Sequence, residues 1–187
     1  AWHKFEHQSC AQRRNCLYRL AQQTHRGLAN SPEREIKGKA RVAVKYPRQG
    51  EEQEITGYSD SDWAGCRVTG KSASGGAFLI GSHRIKAWSR TQNNVTLSSA
   101  EAEPYAMVKC TAELFGIKSM MHDWGREKSG VLYADSTDAL GIAKRKGAGN
   151  MKHININTLW LQNVQGSEGA EYQKVLGREN PTDLMTK

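Results

Sequence analysis

The sequence predicts an α/β domain, on three observations. Three short strand-like segments follow one another before any long helix, one long amphipathic segment comes next, and strand and helix patterns then alternate towards the C-terminus. Acidic residues fall at the edges of these elements, the first of them in Glu54-Ile55-Thr56-Gly57-Tyr58-Ser59-Asp60-Ser61-Asp62-Trp63-Ala64-Gly65.

Residues 1–50 read as a basic helical appendage. Residues 10–23 carry Leu17, Leu20 and Ala21 at helical spacing on an Arg-rich body. Ser31-Pro32-Glu33 then opens a second helix, to about Val44, with Ser as N-cap, Pro at the first position and acids in the first turn. The net charge of +8 resides here: residues 1–50 hold 11 Lys/Arg against 3 Asp/Glu, and residues 51–187 hold 16 against 16. Such an excess favours polyanions such as nucleic acid, although many basic helices merely solubilise. His3, His7, Cys10 and Cys16 match no standard zinc spacing.

Residues 51–187 form the second region. Strand one, about 53–60, alternates through Tyr58 and ends in Asp60 and Asp62, a placement that suits a site at strand tips and equally a polar turn. Residues 66–74 read as a polar loop. Gly75–Ile80 and His83–Trp88 are two strands joined by Gly81-Ser82, where glycine supplies the positive φ that a two-residue hairpin needs. The long helix starts at Ser98-Ser99-Ala100-Glu101, a capping box in which Ser98 caps and Glu101 reaches back. Its apolar stripe runs Ala106, Cys110, Leu114, Ile117, Met121, Trp124; projected backwards, it meets Glu103. A carboxylate facing a core is costly unless a cation or donor meets it, so Glu103 is the most informative acid.

Val131-Leu132-Tyr133-Ala134-Asp135 is a buried-type strand ending in an acid, followed by a helix over about 137–146. If it lies beside strand one, Asp60 and Asp135 sit about 5 Å apart at neighbouring tips. Asp135 could instead cap the helix, a task Ser136 performs equally well. Lys144-Arg145-Lys146-Gly147 and Lys152-His153 make a basic loop; a helix over about 154–165 and a strand from Tyr172 to Leu176 follow. Asn180-Pro181-Thr182-Asp183 reads as an ordinary helix start, with Asn180 as N-cap.

Composition bounds the chemistry. Hydrophobic content of 37% with 25% charged residues indicates a soluble globular chain, and no apolar run approaches a membrane span. The start resembles no signal peptide, and the missing initiator Met with the charged end suggests a fragment of a longer polypeptide. Four cysteines without CxxC spacing fit a reducing compartment. Four carboxylates from separate elements suit hard ions such as Mg²⁺ or Mn²⁺, and two such ions can drive phosphodiester cleavage.

Gly57 to Gly65, Lys71-Ser72-Ala73-Ser74-Gly75, Leu97-Ser98-Ser99-Ala100-Glu101-Ala102-Glu103, Tyr133-Ala134-Asp135-Ser136, Lys152-His153-Ile154 and Glu179 to Lys187 carry a specific resemblance. In this order they resemble the ribonuclease H domain of copia-type retrotransposon Pol polyproteins, over about residues 53–187. Residues 1–50 look like the segment that joins reverse transcriptase to that domain, and no Tyr-x-Asp-Asp polymerase motif is present. The resemblance implies a ribonuclease H-like fold, a mixed five-stranded sheet with three antiparallel and two parallel strands flanked by helices. It implies hydrolysis of the RNA strand of an RNA–DNA hybrid with two Mg²⁺ or Mn²⁺ ions, held by Asp60, Glu103, Asp135 and Asp183, with Asp62 the rival of Asp60. The implied partners are the hybrid and the rest of the Pol polyprotein, with no membrane; the implied location is cytoplasmic, virus-like particles included. Two positions depart from the family pattern. Pro104 follows Glu103, where it either interrupts the helix or restarts it and re-aims Glu103, and Asn155 replaces the usual Asp. An alternative is therefore a decayed copy that binds nucleic acid without cutting. An integrase on the same fold is disfavoured, because integrases place their Glu last.

Overall fold

A computed structural model describes residues 46–66, 69–147, 156–166 and 169–186. The two N-terminal helices, the His3/His7/Cys10/Cys16 group, Lys152-His153 and Asn155 lie outside the described residues. Three strands come first: β1 (Glu54–Asp62), β2 (Ala73–Ile80) and β3 (His83–Thr91). Gly81 adopts φ +56°, the positive value that the hairpin between β2 and β3 requires. β1 pairs antiparallel with β2, and β2 antiparallel with β3, as expected of a meander. A bulge after Phe78 leaves Ile85 unopposed, so the edge strand β3 runs to Thr91 rather than stopping at Trp88.

Helix α1 (Ser99–Asp123) crosses the sheet next, followed by β4 (Ser129–Ala134), α2 (Thr137–Lys144), α3 (Ile156–Gly166) and β5 (Glu171–Lys174). A 3₁₀ turn (Gly177–Glu179) and a short α4 (Asp183–Thr186) complete the described chain. β4 lies parallel to β1, and β5 parallel to β4, so the strand order is β3-β2-β1-β4-β5. The sheet is thus mixed, with three antiparallel strands on one side and two parallel strands added at β1. This is the architecture that the resemblance implied.

The core fills the space between this sheet and the helices: Ile55, Phe78 and Leu132 from the strands meet Met107, Cys110 and Leu114 from α1. Each such side chain contributes about 1.5–3 kcal/mol when fully buried. Close approach is possible because Gly57 and Gly76 stand where a Cβ would meet Leu132 at 2.7 Å and the Trp88 indole at 2.6 Å. The stripe on α1 is broader than its sequence spacing indicates, since Ala102 and Thr111 are buried as well, and it stops earlier. The sequence spacing puts Trp124 on the stripe, but it is 66% exposed: the helix ends at Asp123, and Trp124 is its C-cap, with non-helical backbone.

Candidate active site

The last pair in the β1–β4 ladder is Ser59 with Ala134, so Asp60 and Asp135 leave adjacent parallel strands side by side. Ser136 caps α2 by accepting from the Ala139 N–H at 3.2 Å, which removes helix capping as the task of Asp135. Glu103 arrives from the other layer, in the second turn of α1. One oxygen each of Asp60, Glu103 and Asp135 lies within 4.8 Å of the others. Asp60 and Glu103 are buried and Asp135 half-buried.

This convergence leaves an electrostatic mark. Burial first, then the Asp60 charge, push the Glu103 carboxyl up to about 8, and Asp135 adds to the effect. The hydroxyl and N–H of Ser61 pull the other way, yet Ser61 Oγ and Glu103 Oε2 are each buried with no partner in hydrogen-bonding geometry. A buried, unsatisfied carboxylate oxygen beside two more carboxylates fits a hard divalent cation, which would satisfy the lone pairs and offset the repulsion.

Asp62 is not in this group. Its carboxylate folds over Gly65, where a Cβ would stand 2.0 Å from Oδ2, and of the two rival acids it is Asp60 that stands with Glu103 and Asp135. Asp183 opens α4, half-buried and outside the group of three. Asn180 accepts the bond expected of an N-cap, from the N–H two residues on, and reaches further as well. Its Oδ1 accepts from the N–H and hydroxyl of Thr182, and its Nδ2 donates to the Ser59 carbonyl at 3.0 Å. The expected capping box of α1 is not formed: Ser98 makes no side-chain cap bond, and Glu101 accepts from the Leu97 N–H at 2.8 Å instead.

Pro104 neither breaks α1 nor restarts it. The helix runs unbroken from Ser99, and Glu103 remains in the acidic group. Gln92 helps hold this turn, donating from Nε2 to the Ala102 carbonyl at 2.9 Å and to Ser74 Oγ at 2.8 Å. Pro104 still removes one donor to the Ala100 carbonyl, and its ring is buried. Pro104→Ala should therefore raise the unfolding free energy in a urea titration by about 1 kcal/mol, the restored bond outweighing lost packing and chain entropy. A loss of stability instead would mean that the ring's packing dominates.

The flanking loops are tied to each other. Trp63 Nε1 donates to the Thr96 carbonyl at 3.1 Å, Ser72 Oγ meets Thr96 Oγ1 at 2.8 Å, and the Ala64 N–H donates to Ser72 Oγ at 3.1 Å. Beside them lies a groove of about 250 Å³ lined by Arg90, Gln92, Tyr105 and Lys109 among others. Ser74, also on its wall, pairs with Ser61 in the β1–β2 ladder, so the groove begins one strand from the acids. Burial and then Arg90 lower the Lys109 ammonium pKa. Sequence reading placed the basic contacts in residues 1–50 and 144–153 and missed this groove, whose two cations stand 19 residues apart on different elements.

No protein-family model matches the chain. Over 140 residues it is 31% identical to the retrovirus-related Pol polyprotein from transposon TNT 1-94 of Nicotiana tabacum, covering 74% of this chain. It is 29% identical over 145 residues to that of transposon RE2 of Arabidopsis thaliana, covering 76% of this chain. The chain spans about 10% of the length of each of these curated relatives. Among solved structures, LC11-RNase H1, isolated from compost, superposes with a TM-score of 0.53 at 14% identity, covering 71% of this chain and 92% of that one. The N-terminal RNase H domain of Rv2228c from Mycobacterium tuberculosis superposes with a TM-score of 0.50 at 13% identity, covering 72% and 91%. At such identities the likeness shows the fold alone, and that fold is ribonuclease H-like.

Proposed function

We propose, for a chain that is a relative of the retrovirus-related Pol polyproteins of plant transposons and has the ribonuclease H fold, that it hydrolyses the RNA strand of RNA–DNA hybrids. The observation that carries this reading is the group formed by Asp60, Glu103 and Asp135, with Glu103 Oε2 buried and unpartnered. Asp60, Glu103 and Asp135 would hold Mg²⁺ or Mn²⁺, with Asp183 on the adjoining α4 as the fourth ligand. Bound there, a pair of such ions would supply an activated water and charge stabilisation for the leaving oxygen.

The chain's own residues do the rest. The tied loops at Trp63, Ser72 and Thr96 keep the rim of the site in one arrangement, which favours a preorganised centre. Arg90 and Lys109 in the neighbouring groove are placed to take backbone phosphates of the hybrid, contacts that position the duplex without reading its sequence. Residues 1–50 add positive charge, and the rest of a Pol polyprotein would be the physiological partner, in the cytoplasm. The binding-remnant reading loses its main support, since Pro104 leaves Glu103 with the other acids.

The test is cleavage of an end-labelled RNA–DNA hybrid in Mg²⁺ or Mn²⁺, beside double-stranded RNA and double-stranded DNA. Cutting of the RNA strand in the hybrid alone, ended by EDTA, is the expected outcome. Hybrid binding without cutting under every condition would instead make the chain a nucleic-acid-binding module.

A further inference from the structure

The C-terminal turn holds the carboxylate centre by neutral groups. Thr186, buried at the end of α4, donates its hydroxyl to Asp60 Oδ2 across 126 residues of sequence, and the same oxygen stands 3.2 Å from the Asp183 carbonyl. Asn180, buried, donates to the Ser59 carbonyl, the backbone unit immediately before Asp60. Gly75 makes the approach possible: a Cβ there would meet Thr186 Cγ2 at 3.0 Å and Met185 Cβ at 3.3 Å. Upstream, the 3₁₀ turn passes so close to β4 that a Cβ on Gly177 would stand 3.2 Å from Asp135 Oδ2.

We infer that Thr186 is a positioning residue for the metal centre, a neutral donor that fixes the Asp60 carboxylate without adding a positive charge that would oppose a divalent cation. A lysine or arginine in this place would also orient Asp60, but its positive charge would oppose that of the ion. A hydroxyl gives the directional bond without that opposition, and partners of this kind orient ligands in many metal sites. Because Thr186 shares a helical turn with Asp183, the same contact sets the distance between the fourth acid and the other three. The inference rests on the proposed reading of the acids as metal ligands.

The test compares Thr186→Val, which keeps the shape and removes the hydroxyl, with Thr186→Ser, which keeps the hydroxyl. Mn²⁺ binding to the whole chain is followed by calorimetry, with hybrid cleavage measured at low and at saturating Mn²⁺. Thr186→Val is expected to weaken Mn²⁺ binding roughly tenfold or more, with cleavage largely restored at saturating metal, and Thr186→Ser to remain within a few-fold of the parent. Unchanged Mn²⁺ affinity in Thr186→Val, or equal loss in both variants, overturns the inference and leaves the ribonuclease reading standing. A parent chain that binds no Mn²⁺ overturns both. If Thr186→Val fails to fold, Gly75→Ala, whose Cβ would press on Thr186 Cγ2, replaces it with the same expected loss of affinity and the same overturning result.

Discussion

Asp60→Asn should lower cleavage of an RNA–DNA hybrid by roughly 10²–10³-fold or more, while the protein stays folded. Asp60 stands within 4.8 Å of Glu103 and Asp135 and receives the Thr186 hydroxyl. Asparagine has nearly the same shape and keeps an oxygen for Thr186. It loses the negative charge that a divalent ion needs, and it puts donors where acceptors stood. The same change relieves Glu103, whose carboxyl is held high partly by the Asp60 charge, so the metal-free variant should melt no lower than the parent. A large loss of activity without a loss of stability separates a missing ligand from a damaged fold. Asp62→Asn supplies the comparison, since that carboxylate lies over Gly65 and outside the acidic group. It should cut within a few-fold of the parent. Full cleavage by Asp60→Asn, or equal losses in the two variants, would remove Asp60 from the centre.

What the sequence could and could not disclose follows from the range of each interaction. Asp60 and Asp135 were legible because alternation and a terminal acid mark a strand end locally, and a parallel β1–β4 pair then brings the two ends together. Glu103 was legible because helical periodicity carries the buried stripe of α1 back to it. The same periodicity carries the stripe forward to Trp124, the exposed C-cap beyond the last helical residue; periodicity marks a face and is silent on where the helix ends. Local turn chemistry at Asn180 disclosed the bond its Oδ1 accepts from the Thr182 N–H, but not the one its Nδ2 donates to a distant strand. Thr186 and Asp60 meet across 126 residues and Arg90 faces Lys109 across two elements, and no local pattern encodes either meeting.

Glu103→Gln should end cleavage and at the same time stabilise the metal-free protein at neutral and alkaline pH. The folded-state carboxyl holds its proton up to about 8, against an ordinary value of 4.5, because it is buried beside Asp60. Between these two pH values the folded chain binds more protons than the unfolded chain. Stability from this group therefore falls as pH rises through that window, and the penalty is complete above about pH 8. Its size is on the order of 2–4 kcal/mol, set by burial first and by the Asp60 charge second. Glutamine is neutral at every pH, so urea titrations in EDTA should find the variant close to the parent near pH 5 and more stable near pH 9. Added Mg²⁺ should reverse the order at high pH, since the parent gains a ligand that the variant holds poorly. The parent's Mg²⁺ affinity should rise with pH up to about 8, as the proton on Glu103 ceases to compete. Identical stability of parent and variant at all pH values would mean that Glu103 is not strained by its burial beside Asp60. A strained but metal-indifferent Glu103 would leave the parent unstable near pH 9 whether or not Mg²⁺ is present. Only the combination of high-pH instability and its rescue by the ion is what a site built for that ion requires.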